Sequence, residues 1–260
     1  METAEHVLSE TFARFMKNWA FITSLRQVAD VALPIAEEPL AAIHSNFVEH
    51  ASVDPQLKKI LVNLDGSETA WNEGVKNLLR TNMTAGVITS ARAAIDAASL
   101  VFAQSVLDDS AWAYLRVCSL ASPADWEQII AERKVSFSDL RKSSDVIRNE
   151  MIQDKLQNLE RDSLLKKVDL LFQLCTPPRD YRPINNYAYD RDRLEKIDDA
   201  RHRIIHRDGM GKTVANIDDD LDFILKTANY LLALVNNKYG VQLNVLTMFN
   251  LPTTTAAKQG

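Results

Sequence analysis

The chain has 260 residues, of which 46% are hydrophobic, so it can form one large or two small domains with a sizeable buried core. Its net charge of −5 argues against a surface that wraps duplex DNA as a whole, but not against a local basic site. Seven glycines and eight prolines are too few for the many tight turns of a sandwich or barrel, which favours long helices joined by short loops.

Cysteine usage and the N-terminus predict a location. The only cysteines are Cys118 and Cys175, and two isolated thiols in apolar runs support neither a disulfide framework nor a zinc cage. They are typical of small core residues in a reducing cytoplasm. Glu2, Glu5 and Glu10 have the wrong charge for a signal peptide, and no run of about 18 apolar residues occurs. We therefore expect a cytoplasmic protein without a membrane span.

The N-terminal part of the chain predicts a packing helix from Ser9 to about Val31. Apolar residues recur there three and four positions apart on one face: Phe12, Phe15, Trp19 and Ile22. Pro34 and Pro39 predict an interruption, and residues 65–67 (Asp-Gly-Ser) predict a clear break. We therefore expect a helical extension over residues 1–66 that packs on the rest of the chain.

The middle of the chain predicts the centre of a helical bundle. From Glu68 to Leu107 apolar residues occupy nearly every side of a predicted helix, as in a helix surrounded by others. Another helix start is indicated at Ser122, where Pro123 suits the first turn. Residues 138–174 predict one long helix or two, because Ser163 and the aspartate before it can cap a second helix.

The C-terminal part predicts two more helices. Residues 179–190 form a predicted loop, and a helix follows from Arg191 to His206 or Arg207, ended by Gly209 in a left-handed conformation. The last helix is predicted to begin near Asn216, with three aspartates in its first turn and an apolar seam along its length. Together the segments predict an all-α fold, with a helical bundle over residues 67–246 and a polar tail at 247–260.

Arg201 is the residue that a passive bundle does not explain. On a projection of residues 191–207 at roughly 100° per residue, Arg201 falls in the middle of an apolar side formed by Leu194, Ile197, Ile204 and Ile205. A charged group on a packed face is costly unless it is paired or exposed in a groove. Arg201 therefore requires either a partner or a cleft.

A second line on the same helix places two carboxylates upstream of two imidazoles: Glu195, Asp199, His202 and His206. Carboxylates raise the pKa of a nearby histidine, and the negative end of a helix favours the charged form of His206. A histidine that titrates near neutral pH is the usual general acid/base. The alternative is that this row is a solvated helix face, which is common.

A metal site is a further alternative, because His202 and His206 stand four residues apart and could hold one ion from one helix face. However, Arg203 follows His202 where a zincin would have glutamate, and no cysteine or further histidine cluster completes the set. We therefore expect no metal and no other cofactor.

The segment from Arg201 to His206, Arg-His-Arg-Ile-Ile-His, resembles the signature of HEPN domains (higher eukaryotes and prokaryotes nucleotide-binding domains). That signature is an arginine, a polar residue directly after it and, a few residues later, a histidine. The context is also similar, since the motif closes one helix of an all-α bundle and a further long helix follows. The resemblance covers residues 68–240 only as an architecture, and the first sixty or so residues have no counterpart in it.

The resemblance implies a metal-independent endoribonuclease in which two domains pair, so that two copies of the motif face one RNA-binding cleft. It implies three catalytic residues: His206 as the acid/base, Arg201 as the clamp on the scissile phosphate, and His202 orienting the pair or contacting RNA. The 2′-hydroxyl of the RNA would be the nucleophile. The expected partners are therefore RNA and a second copy of the chain, bound through the motif-bearing face.

The residues around the motif also point to RNA. Residues 179–212 contain nine lysines or arginines against seven acids, with three tyrosines among them. Proteins that bind single-stranded RNA combine cations with stacking aromatics. We therefore expect RNA contacts from four residues: Arg203, Arg207, Arg182 and Tyr187. The alternative is an ordinary charge excess, with the tyrosines packed on the bundle.

Three interpretations of function stay open at this point. The first is a ribonuclease that acts as a toxin or in anti-phage defence, as is common in the family, with a cognate antitoxin or other partner protein as a further expectation. The second is a catalytically inactive HEPN-like module for dimerisation or as an adaptor. The third is an unrelated α-helical binding protein.

Overall fold

The structure is a computed structural model that describes residues 2–54, 56, 73–130, 139–184, 187–209 and 213–244. Within these ranges it contains seven α-helices and no strand, which confirms the all-α prediction. In chain order the helices are α1 (Ala4–Val53), α2 (Glu73–Ala121), α3 (Glu127–Ile130), α4 (Ser144–Glu160), α5 (Leu164–Leu174), α6 (Arg191–Arg203) and α7 (Ile217–Tyr239). A π-helical turn, Ile204–Asp208, directly follows α6.

Helix α1 is much longer than predicted, because it continues through Pro34 and Pro39. A proline inside a helix removes one backbone hydrogen bond and costs about 3 kcal/mol or more. Contacts with α2 on both sides of the prolines stabilise the helix: Asp30 with Arg92 before them, and His44 with Thr84 after them. The predicted interruption at the prolines is therefore wrong. The predicted break at residues 65–67 lies outside the described residues.

Two helix boundaries occur where polar capping residues predicted them. Ser163 separates α4 from α5, and its hydroxyl accepts a hydrogen bond from the Lys166 N–H at 3.5 Å. Helix α7 begins directly after Asn216, which has a left-handed φ of 57° and makes no side-chain capping hydrogen bond. The described residues 139–174 therefore contain two α-helices, α4 and α5, the second of the two alternatives that the sequence allowed.

Backbone contacts divide the described residues into two compact units. Unit 1 consists of the described residues within Met1–Phe21, Leu100–His202 and Asn216–Gly260. Unit 2 consists of those within Ile22–Ser99 and Arg203–Ala215. Each of the two long helices, α1 and α2, thus contributes residues to both units. The predicted domain boundary at residues 66 and 67 and the predicted tail at 247–260 lie outside the described residues.

Unit 1 holds a core of large, almost completely buried side chains. It includes Phe15 from α1, Tyr114 from α2 and Trp126 from the turn that follows α2. Both thiols belong to this core, and the Sγ atoms of Cys118 and Cys175 lie 3.8 Å apart. The prediction that the two cysteines are core residues is confirmed, and their contact joins α2 to the residue that ends α5.

One helical segment in the described part of the chain, Lys76–Ala121, is long and apolar enough to cross a membrane by length and composition. One such helix is weak evidence for a span. The segment also contains charged groups that form ion pairs, among them Arg92 and Asp96. The cytoplasmic location therefore stays a prediction.

Candidate functional site

The candidate motif lies where α6 changes into the π-helical turn. Helix α6 ends at Arg203, and the Gly209 N–H closes the wider turn by donating to the Ile204 carbonyl at 3.1 Å. Gly209 has a positive φ of 68°, as its predicted place after the helix required, but its ψ of 179° is extended rather than left-handed helical. Turns of the π type are often found at functional sites.

The π-helical turn changes which side chains the helix buries. Leu194, Ile197 and Ile204 are buried as predicted, whereas Ile205 is 46% exposed. A wider turn places more residues in one turn of helix, so Ile205 rotates away from the packed side. The prediction that Ile205 belongs to the buried face is therefore wrong, and the face ends at Ile204.

Arg201 lies on this buried face and is only partly paired. Its side chain is 34% exposed, and its Nη1 atom is 4.0 Å from the Asp198 Oδ1 atom. Its Nε atom is buried and has no hydrogen-bond partner among the described residues. The guanidinium thus has a distant anionic neighbour, some access to solvent and an unused donor.

Asp198 connects Arg201 to a buried amide of α2. The Gln104 Nε2 atom donates to the Asp198 Oδ1 atom at 2.5 Å, and the Gln104 side chain is fully buried. Burial raises the pKa of the Asp198 carboxyl, while the Arg201 charge and the Gln104 hydrogen bond act in the opposite direction. Sequence reasoning missed both residues. Asp198 could have been found from its position three residues before Arg201, but no local pattern indicates Gln104.

The histidines and the other arginine of the motif are exposed. His202 belongs to unit 1, and Arg203, His206 and Arg207 belong to unit 2, so the division between the units falls inside the motif. Within unit 1, Arg201 and His202 are consecutive residues of α6. Within unit 2, the consecutive residues His206 and Arg207 of the π-helical turn are exposed to solvent.

Of the other predicted RNA contacts, Arg182 is exposed and Tyr187 is not. Arg182 donates through Nη1 to the Tyr181 carbonyl at 3.1 Å. Tyr187 is only 7% exposed, and its hydroxyl lies 2.8 Å from the Thr227 Oγ1 atom. Burial raises the pKa of Tyr187 to about 12, and its ring packs against Phe223. The prediction that Tyr187 stacks on RNA is therefore wrong, because no face of this ring is available to a base.

The neighbouring tyrosines also pack on the bundle. The Tyr181 hydroxyl donates to the Ala233 carbonyl at 2.7 Å, and the ring centroid of Tyr189 lies 4.6 Å from that of Phe172. The three tyrosines of this segment therefore stabilise unit 1 and do not form a stacking platform. Among the described residues, no group of three or more histidines, cysteines or carboxylates is placed to hold a metal ion.

No family model, no curated protein and no solved structure matches this chain. The resemblance to HEPN domains therefore rests on the motif and on the all-α architecture alone.

Proposed function

We propose that the protein is a metal-independent endoribonuclease of the HEPN type. The observation that carries the proposal is Arg201, a cation on the packed face of α6 whose Nε donor is unpaired among the described residues. The partly exposed end of this guanidinium can donate to a phosphodiester, since arginine binds phosphate oxygens through two parallel hydrogen bonds. His206 follows five positions along the same helical segment, on an exposed turn.

The proposed reaction uses the nucleophile that RNA itself carries. The 2′-oxygen attacks the adjacent phosphorus, its proton passes to an imidazole, and the bond from phosphorus to the 5′-oxygen breaks. The leaving oxygen takes up a proton, so the products are a 2′,3′-cyclic phosphate and a 5′-hydroxyl. His206 is the acid/base in this scheme, and Arg201 compensates the charge that develops on the phosphate oxygens. His202, adjacent to Arg201, orients it or contacts the RNA.

The proposal includes the RNA contacts, the partners and the cellular role of the enzyme. The exposed cations Arg203, Arg207 and Arg182 would bind the RNA backbone, without Tyr187. The partner would be a second copy of the chain through the motif-bearing face, and a cognate antitoxin would be a further partner. The setting would be the cytoplasm, with a role as a toxin or an anti-phage effector.

The experiment is cleavage of single-stranded RNA by the purified chain in EDTA, with analysis of the product ends. Arg201→Lys, Arg201→Ala and His206→Ala should each lower the rate by about a hundredfold or more, since each removes charge stabilisation or the acid/base. Arg201→Lys keeps the positive charge but loses the planar guanidinium. It therefore tests whether two parallel hydrogen bonds to the phosphate are needed in addition to the charge. His202→Ala should have a smaller effect.

Matched controls come from the same chain. Arg191→Ala removes an exposed arginine of α6, and His6→Ala removes an exposed histidine of α1; both should cleave at the wild-type rate. Cleavage that needs a divalent ion, or that persists at full rate in both Arg201→Ala and His206→Ala, would contradict the assignment. If the wild-type chain cuts no RNA while it pairs with another chain, the adaptor interpretation replaces the enzyme.

A further inference from the structure

The α1–α2 hairpin of unit 2 has a small and polar seam. The two helices are joined by charged groups: the Arg26 Nε atom of α1 lies 3.2 Å from the Asp96 Oδ1 atom of α2, and Arg92 pairs with Asp30. The buried residues of the hairpin are mostly small or polar: Ala29, Thr84, Ala93, Asp96, Ala97 and Ser99. Among the large apolar side chains of the hairpin whose burial the structure describes, only Ile22 and Val48 are fully buried.

Some of the larger apolar side chains of this hairpin lie on its outside, while others, such as Leu33 and Leu40, are half-buried. Five such exposed residues lie on α1, and each has between 44 and 69% of its surface exposed. We name these five the outer stripe: Val28, Val31, Ile35, Ile43 and Phe47. At roughly 100° per residue, all five fall on one half of the helix circumference. A surface helix normally turns such a stripe toward a core. The outer stripe is therefore an apolar face of α1 that no described residue covers.

The size of the outer stripe matches the apolar part of a protein interface. With about 120 Å² for each such side chain when fully exposed, the stripe presents roughly 360 Å². Three exposed small residues on the same side enlarge it: Ala32, Pro39 and Ala42. A standard interface covers about 800 Å² per partner, of which about 57% is apolar, or roughly 450 Å². The patch thus has about the apolar area that a stable dimer buries.

The charges of α1 exclude insertion across a lipid bilayer as the cover. A membrane span needs about 20 predominantly apolar residues. Between Ile22 and Val53, charged residues interrupt the helix at Arg26, Asp30, Glu37, Glu38 and Glu49, so no uncharged run there reaches that length. The stripe is therefore suited to another helix with polar edges rather than to the bilayer interior.

We propose that the outer stripe is the contact between two copies of this chain, with the two α1 helices antiparallel about a twofold axis. A hairpin that meets its own copy completes a four-helix arrangement in which each stripe covers the other. The midpoint of the stripe lies near residues 37 and 38, so Val28 of one copy meets Phe47 of the other, a small side chain against a large one. This contact does not rest on the proposed ribonuclease activity. A chain that also pairs through its motif-bearing face would form a tetramer.

The test is the mass of the assembly in solution, measured by sedimentation equilibrium between 1 and about 50 µM of the full chain. Ile35→Lys/Ile43→Lys should halve the mass of the wild-type assembly, because it places two ammonium groups in the contact. The matched control is Gln27→Lys, which adds the same charge on the same helix, at an exposed position beside the stripe; its mass should equal that of wild type. Circular dichroism checks the helix content of each variant.

Cross-linking gives a second readout that does not depend on a disruptive variant. Ile35→Cys lies near the proposed axis, so a short bifunctional maleimide should join it to its twin. Val28→Cys lies about 28 Å from its twin in this geometry, at 1.5 Å per residue, and should not be joined. Cys118 and Cys175 are buried and should not react.

Each other outcome overturns the proposal. A wild-type chain that is monomeric at 50 µM, or an assembly whose mass the double variant leaves unchanged, shows that the stripe is not the contact. Equal cross-linking of Val28→Cys and Ile35→Cys shows parallel rather than antiparallel pairing. Wild-type chain that stays monomeric and sediments with phosphatidylcholine vesicles, while the double variant does not, assigns the stripe to a lipid surface.

Discussion

A guanidinium on the packed face of a helix is stable only where it has a partner or reaches solvent. Arg201 has some of each, since Asp198 lies 4.0 Å away and a third of the side chain is exposed. Neither contact uses the Nε donor. This incomplete pairing distinguishes Arg201 from Arg191 of the same helix, which donates to both carboxylate oxygens of Asp169. This difference is why the proposed binding of an anion involves Arg201 and not Arg191.

The Asp198 carboxyl gives a prediction about pH. Its pKa is raised by burial, so the folded chain holds its proton at a higher pH than the unfolded chain does. The charged carboxylate therefore costs stability above the folded pKa, and this cost disappears as the pH falls through it. Asp198→Asn should raise the melting temperature at pH 7 by the equivalent of about 1 kcal/mol or less, because the group is partly exposed.

The control for this prediction is Asp199→Asn, which removes an exposed carboxylate from the same helix. The stability difference between Asp198→Asn and wild type should shrink as the pH is lowered from 7 toward 4, as followed by thermal melts at each pH. A variant that is less stable than wild type at pH 7, with a deficit that disappears on acidification, would show that Asp198 is stabilised in its charged form by Arg201 and Gln104 rather than destabilised by burial.

At the scale of the elements, a buried ion pair ties α5 to α2. The Lys167 side chain is only 2% exposed, and its Nζ atom donates to both Asp108 carboxylate oxygens at 2.8 Å and to the Glu160 carbonyl at 3.2 Å. The ammonium therefore has acceptors for all of its protons. This arrangement explains how an amphipathic helix with an apolar stripe tolerates a lysine on its buried side.

Lys167→Met should lower the free energy of unfolding by about 3 kcal/mol, because it leaves the Asp108 carboxylate without its cation. The double variant Lys167→Met/Asp108→Leu should recover most of that loss, since an apolar pair of similar volume needs no charge compensation. The neighbouring Lys166→Met is the control. It removes a solvent-exposed lysine that pairs with Asp162, and it should change stability by less than about 1 kcal/mol. Urea denaturation measures the free energy of unfolding of all three variants. Lys167→Met as stable as wild type would contradict the prediction.

At the scale of the whole molecule, the two units differ in how they are stabilised. Unit 1 buries large aromatic and aliphatic side chains, whereas the hairpin of unit 2 depends on small residues and partly exposed ion pairs. Apolar burial contributes roughly 25 cal/mol for each Å² removed from water, while an exposed ion pair contributes at most about 1 kcal/mol. Unit 2 is therefore the less stable part of an isolated chain.

Hydrogen exchange should show this difference inside a single helix. Amides of α2 between Glu73 and Ser99 should exchange faster than those between Leu100 and Ala121, although the helix is continuous. Mass spectrometry of peptic fragments measures both halves in one experiment. Protection of residues 22–53 should rise with protein concentration if the outer stripe is covered by a second copy. Uniform protection along α2 at low concentration would contradict the assignment of unit 2 as the weaker part.

Much of the candidate site could be predicted from sequence because its geometry is local. The place of Arg201 among Leu194, Ile197 and Ile204 follows from helical periodicity, and the structure buries all three aliphatic residues. The π-helical turn could not be predicted in the same way, because it depends on one extra residue between donor and acceptor. That turn is the reason why Ile205 is exposed rather than buried.

The sequence by itself determined the all-α class, the helix starts after Ser163 and Asn216, and the core role of the cysteines. Periodicity, side-chain polarity and, at Ser163, a capping hydrogen bond act over a few residues. Tertiary contacts decided what lies far apart in the chain. Gln104 meets Asp198 across 94 positions, and the two thiols meet across 57. Contacts between distant residues also keep α1 helical at its two prolines and bury Tyr187 beside Thr227. Packing between helices is worth more than a local preference, so it overrides the sequence signal wherever the two conflict.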